Sequence, residues 1–332
     1  MMRMPAESAP HERTVMCWPV RRELYGELFP LAEDAHALVA STIAGFEPVT
    51  MIAGSGAGER AAKACGAGVD VIELPIDDSW FRDSGPIYVT DGIRRVALDW
   101  AFNAWGGKFE PYDNDAALAR RYAESVGDEV RTIPVVLEGG AIAVDGAGTL
   151  VTTEQCLLHP NRNPVLTRVE IESVLGAELG VTRIVWLPHG LALDDDTDGH
   201  VDNVAAFVRP GTLLMQGCAD RSEDDWLRCN VNVRCGRGAI DALEQPIEVV
   251  EIPVLPFSEI GGERVAVPYL NFYVANGVVV VPVCGHPADA DMLAIIEDHF
   301  ADREVVGLDV GAVLAYGGGG IHCITQQVPS VA

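Results

Sequence analysis

The sequence contains no CxxC pair, no long apolar run and few basic residues, and each absence excludes a class of protein. A zinc ribbon or a thioredoxin-type redox centre needs closely paired cysteines, whereas the eight cysteines here are scattered. No stretch approaches the roughly 18 apolar residues of a membrane-spanning helix. The N-terminus lacks a basic segment followed by an apolar one, so we expect a cytoplasmic protein without a signal peptide.

Acidic residues outnumber basic ones by 49 to 23, which gives a formal net charge of −26 at pH 7. Such a charge repels nucleic acids and anionic membranes, so we expect neither as a partner. It can draw a cationic ligand toward a cleft, although acidic surfaces also serve solubility alone. With 48% hydrophobic residues in 332, the chain can bury a large core. Because no low-complexity linker divides it, we expect one catalytic domain over residues 1–332.

Short β-hairpins recur along the chain with helices between them. Helices are predicted over residues 28–43, 60–64, 116–126, 168–179 and 288–300. Hairpins are predicted from residues 86–90 with 95–100, 141–144 with 149–153, 203–208 with 212–216, and 271–275 with 278–283. A last strand, 321–327, would pair with an N-terminal strand, 14–18. Five such units predict an α/β fold closed into a ring, because the terminal strands then remove the exposed sheet edge.

Near its C-terminus the chain runs through four glycines, residues 317–320, into Cys323. Glycine lets the backbone approach a ligand closely, so the run brings one thiol to a place that a bulkier segment could not reach. Polar residues follow at 325–327, which is unlike the setting of a buried structural thiol. We therefore predict that Cys323 is a nucleophile, which needs help to ionise because a free thiol has a pKa of about 8.5.

A histidine, three acids and an amide occupy equivalent positions just before the predicted hairpins. They are Asp83, Glu138, His200, Asp202 and Asn271. Equivalent positions in a closed pseudo-symmetric ring face one axis, so these side chains and Cys323 are expected to share one site. His200 has the features of a general acid/base, although a turn histidine bonded to a neighbouring Asp has the same pattern. Asp202 would point the same way as His200 along a strand. Asn271 is expected to bind substrate.

Three carboxylates beside one thiolate repel each other unless a cation lies among them. A guanidinium fits this description, because its fork of N–H groups matches carboxylates bidentately. Trp80 can cover the face of such a cation, or it can equally be an ordinary core aromatic. The pattern therefore predicts a small cationic guanidine as the ligand.

Two other motifs are rejected. Residues 194–199 imitate the start of an EF-hand loop, but Ala205 stands where the loop needs Glu. Residues 54–59 imitate a dinucleotide-binding loop, but Glu59 stands where a small residue is required and would repel a pyrophosphate. We therefore expect neither a metal site at the first segment nor a dinucleotide site at the second.

These segments resemble the agmatine deiminase family and its relatives, the bacterial peptidyl-arginine deiminases, in the guanidine-modifying pentein superfamily. The matching stretches are residues 7–18, 78–86, 102–107, 138–140, 161–164, 195–203, 271–274 and 317–327. The resemblance implies a five-bladed pseudo-symmetric α/β-propeller, in agreement with the predicted ring. It also implies that no metal or organic cofactor is needed, and it suggests a homodimer.

The resemblance implies that Cys323 is the nucleophile and His200 the acid/base. Asp83 and Asp202 would bind the guanidinium, and Glu138 would position and charge the site. The implied reaction is hydrolysis of agmatine to N-carbamoylputrescine and ammonia through a thiouronium on Cys323, as in polyamine metabolism.

The tail of the substrate is less well defined. The segment after Gly107 is short, and His189-Gly190 departs from agmatine-specific members, so arginine and peptidyl-arginine stay open as substrates. An amidinotransferase, a Cys–His amidase, a non-catalytic polyamine binder and a metal-dependent hydrolase using His200 and Asp202 are the alternatives.

Overall fold

The computed structural model describes residues 2–332, and the fold is of the α/β class. Within these residues the strands are β1 (His11–Cys17), β2 (Val49–Ala53), β3 (Val69–Glu73), β4 (Ile87–Thr90), β5 (Arg95–Ala101), β6 (Glu129–Val136), β7 (Ile142–Val144), β8 (Thr149–Thr153), β9 (Arg183–Leu187), β10 (Ala205–Arg209), β11 (Thr212–Gln216), β12 (Glu248–Ile252), β13 (Phe257–Ile260), β14 (Glu263–Ala266), β15 (Tyr273–Ala275), β16 (Val278–Pro282), β17 (Glu304–Leu308) and β18 (Thr325–Pro329).

The helices connect these strands. They are α1 (Arg22–Tyr25), α2 (Phe29–Ile43), α3 (Gly58–Cys65), α4 (Phe81–Ser84), α5 (Ala104–Gly107), α6 (Asp113–Ala116), α7 (Leu118–Val126), α8 (Glu154–Leu157), α9 (Arg168–Leu179), α10 (Asp225–Arg237), α11 (Asp289–Glu297) and α12 (Gly311–Tyr316). Three 3₁₀ turns cover Gly26–Leu28, Gly139–Ala141 and Val201–Asn203. No helix within residues 2–332 combines the length and the apolar character needed to cross a membrane.

Five sheets repeat one strand arrangement. In each, a first strand pairs antiparallel with a second, and the second pairs parallel with a third that follows a helical crossover. The five sets are β18-β1-β2, β4-β5-β6, β7-β8-β9, β10-β11-β12 and β15-β16-β17. Strand β3 extends the first sheet, and β13 pairs with β14 as a separate hairpin. The predicted pairing of the first and last strands is confirmed. Among the described residues no single sheet closes on itself.

The core consists of five clusters of buried apolar side chains, each of which joins two of the sheets. Adjacent residues of a middle strand enter different clusters, because successive side chains of a strand point to opposite faces. The joined pairs are Val15 with Ala97, Leu98 with Leu150, Val151 with Leu213, Leu214 with Val279, and Val280 with Met16. Each middle strand is therefore packed on both faces.

The predicted hairpins and long helices are present, but two kinds of element were missed. Helix α10 escaped prediction because polar Asp225 and Asn232 lie on its buried side, so its apolar periodicity is weak. The short third strands, such as β9 and β12, were also missed.

The prediction of strand at residues 321–323 is wrong. The Thr325 amide bonds the His322 carbonyl in a turn, and strand β18 starts only after it. The His322 amide instead donates to Asn271, both to its carbonyl (3.1 Å) and to its side-chain oxygen (3.0 Å). These residues bond a neighbouring connection and not a strand ladder, which leaves the thiol outside the sheet.

Candidate active site

The expected site residues all precede the first strand of a sheet. Asp83 lies in α4 before β4, Glu138 comes before β7, His200 and Asp202 come before β10, Asn271 comes before β15, and Cys323 comes before β18. Each sheet therefore contributes a loop or a short helical turn at the same end. All six are buried, with exposed fractions between 0 and 5%.

Cys323 lies at the meeting point of these segments. Its Sγ is 3.6 Å from Asp202 Oδ2, and Asn271 Nδ2 donates to Sγ at 3.3 Å. Burial raises the pKa of the Cys323 thiol well above its ordinary value, and the carboxylates of Asp202 and Asp83 raise it further. In the absence of a ligand the sulfur is therefore held as a thiol.

Asp83 is fixed by two donors from different segments. Its Oδ1 accepts from the Gly140 amide at 2.9 Å, and its Oδ2 accepts from Trp105 Nε1 at 2.9 Å. Its Oδ2 also lies 3.8 Å from His200 Nδ1. Burial raises the pKa of Asp83, while the neighbouring His200 partly offsets this effect.

His200 is completely buried, and among residues 2–332 neither ring nitrogen has a hydrogen-bond partner. Its backbone is held instead, because its amide donates to Asp194 Oδ2 at 3.1 Å and to Thr197 Oγ1 at 3.0 Å. Burial alone would lower the pKa of His200, but the charge of Asp83 and contact with Cys156 outweigh it, so the pKa is raised. The ring is thus orientated by its backbone while both nitrogens stay available.

The expectation that His200 and Asp202 share one face of a strand is wrong. Asp202 lies in the 3₁₀ turn Val201–Asn203, which follows His200 directly. Both side chains nevertheless face Gly140. A Cβ placed on Gly140 would lie 2.5 Å from His200 Nδ1, 2.9 Å from Asp202 Oδ2 and 3.0 Å from Asp83 Oδ1. The absent side chain of Gly140 is what allows the three groups to meet.

Glu138 differs from the two aspartates because its carboxylate is paired with the guanidinium of an arginine. Arg162 Nε donates to Glu138 Oε1 at 2.6 Å, and both side chains are fully buried. Arg162 also bonds the Thr197 carbonyl at 2.8 Å and the Trp105 carbonyl at 3.1 Å. Glu138 is therefore not the uncompensated acid that the sequence had led us to expect. Sequence reasoning missed Arg162, although it lies in a segment that carried the resemblance.

His322 and Glu7 were also missed. His322 Nδ1 lies 2.8 Å from Asp202 Oδ2, and His322 Nε2 lies 2.7 Å from Glu7 Oε2. Asp202 Oδ1 is buried with no partner within residues 2–332. Burial would raise the pKa of Asp202, but the contact with His322 lowers it overall. The position of His322 directly before Cys323 was the available signal.

A pocket of about 330 Å³ leads to the sulfur. Its aromatic lining is Trp80, Trp105 and Phe109, and its polar groups include Cys323, Asp78, Asp83 and Asp196. No Lys or Arg is among its lining residues in the described chain. Asn271 does not line the pocket. Its side chain contacts the Cys323 sulfur and the adjoining turns instead. The pocket therefore combines aromatic side chains with charged residues that are all acidic.

The glycine run packs closely against the site. A Cβ on Gly319 would lie 2.6 Å from the Trp80 ring and 3.1 Å from Cys323 Sγ. The indole therefore packs against the backbone beside the sulfur. On the opposite wall, Trp105 has φ of 54°, a left-handed conformation that is uncommon for a bulky residue. Its indole N–H and its carbonyl bond Asp83 and Arg162, which hold it there.

One group of side chains has the spacing of metal ligands. Glu138, Cys156 and His200 each place a donor atom within 4.8 Å of the others. A metal ion at this position would have to share the Glu138 carboxylate with the Arg162 guanidinium, which binds Oε1, while Oε2 is buried with no hydrogen-bond partner within residues 2–332. The rejected EF-hand segment is folded inward, because Asp194 accepts from Thr197 and from the amide of His200.

The whole chain is similar to known proteins. The sequence profile of the Porphyromonas-type peptidyl-arginine deiminase family matches residues 3–329. Agmatine deiminases of Stutzerimonas stutzeri and Pseudomonas aeruginosa are each 42% identical to it, over 98% and 99% of this chain and 95% of each relative. A structure of the agmatine deiminase of Enterococcus faecalis, described as catalysing its reaction, is 31% identical with a TM-score of 0.95. That alignment covers 100% of this chain and 96% of the other.

Proposed function

This chain belongs to the Porphyromonas-type peptidyl-arginine deiminase family, and we propose that it hydrolyses agmatine to N-carbamoylputrescine and ammonia. The main observation is a buried thiol with two carboxylates beside it: Asp202 Oδ2 lies 3.6 Å from the sulfur, and Asp83 lines the pocket that leads to the sulfur. No basic residue lines that pocket in the described chain. The full-length similarity to enzymes named agmatine deiminase supports the same conclusion.

The pocket favours agmatine over arginine as the substrate. The two molecules share a guanidinium, but only arginine carries a carboxylate at the other end. Asp78, Asp83 and Asp196 line the pocket, and arginine would bring a fourth anion toward them, although no Lys or Arg is among the lining residues in the described chain. Asp78 is already paired with Arg21 at 2.8 Å, whereas Asp196 has no ion pair in the described chain. Asp196 is therefore the better acceptor for the primary ammonium of agmatine.

The carboxylates of Asp202 and Asp83 provide acceptors for the guanidinium. Asp202 Oδ1 is unpartnered, and Asp83 lies beside it on the other side of Gly140. Bidentate N–H donation to such oxygens fixes the plane of the guanidinium and brings its central carbon to the sulfur. Trp80 would cover its face by cation–π contact.

The chemistry then needs one nucleophile and one proton carrier. The bound cation lowers the pKa of Cys323, and the thiolate forms an Sγ–C bond to the guanidinium carbon. His200 gives a proton to the departing nitrogen, which leaves as ammonia and creates a thiouronium. His200 then accepts a proton from the attacking water as the new C–O bond forms. The C–S bond breaks and restores the thiolate, the hydroxyl group of the adduct loses its proton to solvent, where ammonia becomes ammonium, and the neutral ureido product leaves.

The remaining expected residues have supporting roles in this proposal. Glu138, held by Arg162, positions the His200 side of the site. Asn271 donates to the sulfur and so stabilises the thiolate, which is a different role from the substrate contact expected from the sequence.

We also propose that the five sheets are the blades of a five-bladed α/β-propeller, forming one catalytic domain over residues 1–332. The packing of the sheets supports this proposal, because each sheet shares one buried cluster with the sheet before it and another with the sheet after it. The fifth shared cluster joins the last sheet to the first. The proposal places the enzyme in the cytoplasm as a homodimer, as the resemblance implies.

The test is an assay of ammonia and ureido product with agmatine, arginine and a peptidyl-arginine. We expect turnover of agmatine that exceeds turnover of the other two by at least tenfold. Cys323→Ala should abolish it, whereas Cys235→Ser, in helix α10, should retain it. Turnover of agmatine by Cys323→Ala would end the nucleophile assignment, and equal turnover of arginine would contradict the substrate assignment.

A further inference from the structure

Behind the proposed guanidinium-binding carboxylate lies a line of three ionisable groups. Asp202 Oδ2 is 2.8 Å from His322 Nδ1, and His322 Nε2 is 2.7 Å from Glu7 Oε2. Asp202 is 3% exposed and His322 is 9% exposed, so this line runs through the interior. The mechanism above uses only its first member.

The geometry defines the protonation state of the imidazole. Both ring nitrogens face carboxylate oxygens at hydrogen-bond distance, and an ionised carboxylate can only accept. Both nitrogens must then donate, which requires the imidazolium form. Burial and the nearby Arg82 lower the pKa of His322, but Glu7 and Asp202 outweigh them and the pKa is raised. Burial would raise the pKa of Glu7, but the charges of His322 and Arg82 bring it to about 2.

Glu7 is itself held firmly. Its Oε1 accepts from the Val274 amide at 2.9 Å, and its Oε2 is 3.5 Å from Arg82 Nη2. Arg82 Nε donates to the His322 carbonyl at 3.2 Å, and Arg82 Nη1 donates to Gln327 Oε1 at 2.9 Å. The N-terminal segment, α4 and β18 thus converge on one imidazole.

We propose that His322 is a positioning residue whose imidazolium keeps Asp202 ionised and turned so that Oδ1 faces the guanidinium, and that Glu7 keeps His322 protonated. This inference rests on the proposed function in one respect, the assignment of Asp202 to the guanidinium. His322 occupies Asp202 Oδ2 and leaves Oδ1 without a partner in the described chain.

The neighbouring Asp83 serves as an internal comparison. Both aspartates are buried beside the same thiol, and both lie near His200. Asp83 has no hydrogen bond from a cationic side chain, and its pKa is raised by burial. Asp202 has the hydrogen bond from His322, and its pKa is lowered. The hydrogen bond from His322 is the largest of the causes that lower the pKa of Asp202, and Asp83 lacks such a bond.

The line of charges reaches a second cavity, separate from the substrate pocket. Glu7, Arg82, Asp202, His322 and Gln327 line this cavity of about 510 Å³. None of them lines the pocket that contains Cys323, and Asp202 reaches the site beside the sulfur, with its Oδ2 3.6 Å from Cys323 Sγ. His322 can therefore exchange protons with solvent from the other side of the sulfur, and its charge state can be measured without substrate.

The first experiment measures the charge of His322 directly. With ¹⁵N-labelled histidine, His322→Asn identifies the signal, and the wild type should show a doubly protonated ring from pH 6 to pH 8. In Glu7→Gln the signal should titrate to the neutral form at least one pH unit earlier, since the facing anion is gone. Glu59→Gln, on the surface of α3, removes one negative charge elsewhere and should leave the signal unchanged. A neutral His322 in the wild type at pH 7 overturns the proposal.

The second experiment measures agmatine affinity in the Cys323→Ala background, where chemistry is absent. The change His322→Asn retains a donor toward Asp202 but has no charge, and should weaken agmatine binding at least tenfold at pH 7. In Glu7→Gln the affinity should fall as pH rises through the shifted titration of His322. A loss of affinity that is the same at every pH would show a merely structural role and refute the proposal. If the wild type does not turn over agmatine, the proposed function fails, while the NMR result still decides the state of His322.

Discussion

The side chain missing from Gly140 gives a sharp test of the site. Gly140→Ala would place a methyl group 2.5 Å from His200 Nδ1, 2.9 Å from Asp202 Oδ2 and 3.0 Å from Asp83 Oδ1. Carbon needs about 3.5 Å or more from such atoms. The methyl thus overlaps the imidazole by about 1 Å, and the three atoms nearest to it all belong to groups assigned to catalysis or substrate binding. The backbone of Gly140 does not have a positive φ, so alanine is tolerated by the main chain itself.

The expected effect on activity is much larger than the effect on stability. Moving a reacting group by about 1 Å costs roughly 100-fold in rate, so kcat/KM for agmatine should fall by at least that factor. Overpacking by one methyl costs about 1–3 kcal/mol, so the protein should stay folded. The control is Gly238→Ala at the end of α10, where a Cβ would lie 3.4 Å from the nearest atom and φ is −88°.

The assay combines ureido-product kinetics with thermal unfolding of both variants. We expect Gly238→Ala to match the wild type in kcat/KM, and Gly140→Ala to unfold cooperatively at a slightly lower temperature. Activity of Gly140→Ala within threefold of the wild type would show that His200, Asp202 and Asp83 do not converge on this point. The assignment of a shared site would then be lost.

Two further predictions concern charge. Arg162→Lys keeps a cation near Glu138 but loses the guanidinium fork, so the free energy of unfolding should fall by about 3 kcal/mol in a denaturant titration. The exposed Arg168→Lys should change it by less than about 0.5 kcal/mol. Because the thiol pKa is raised, alkylation of Cys323 by iodoacetamide, followed by peptide mass spectrometry, should still accelerate above pH 9. In the pH profile of kcat, the ionisation of Cys323 should occur at lower pH, since the bound cation stabilises the thiolate. An alkylation rate of the free enzyme that is already constant at pH 7 would contradict the raised thiol pKa.

The hairpins and their order could be predicted because turn residues and alternating apolar strands are local signals. Thr149–Thr153 and Thr212–Gln216 agree with their predicted limits for this reason. The short parallel strands β9 and β12 could not be predicted in the same way, because each has only five residues with apolar side chains next to one another and a charged residue at its start, so no alternation is visible. Helix α10 was missed because its buried side carries polar groups, among them Asn232, which bonds the backbone of His189.

The candidate site residues were predicted from their equivalent positions along the chain, but their electrostatic partners could not be predicted. Arg162 is 24 residues from Glu138, and Glu7 is 315 residues from His322, so only the fold brings each pair together. A carboxylate in a sequence does not reveal whether a cation faces it. The expected excess of negative charge at the thiol was overstated for that reason.

The cationic partners of the three acids connect substrate recognition with catalysis. Glu138 faces the Arg162 cation, Asp202 faces His322, and Asp83 lies 3.8 Å from His200. With each acid opposite a cationic partner and the thiol protonated, the resting site is close to neutral. A guanidinium that enters this enclosed space adds one positive charge, and loss of the Cys323 proton restores the balance. A neutral isostere of the substrate would remove the reason for the thiol to ionise, so selection of a cation and activation of the nucleophile are one electrostatic event.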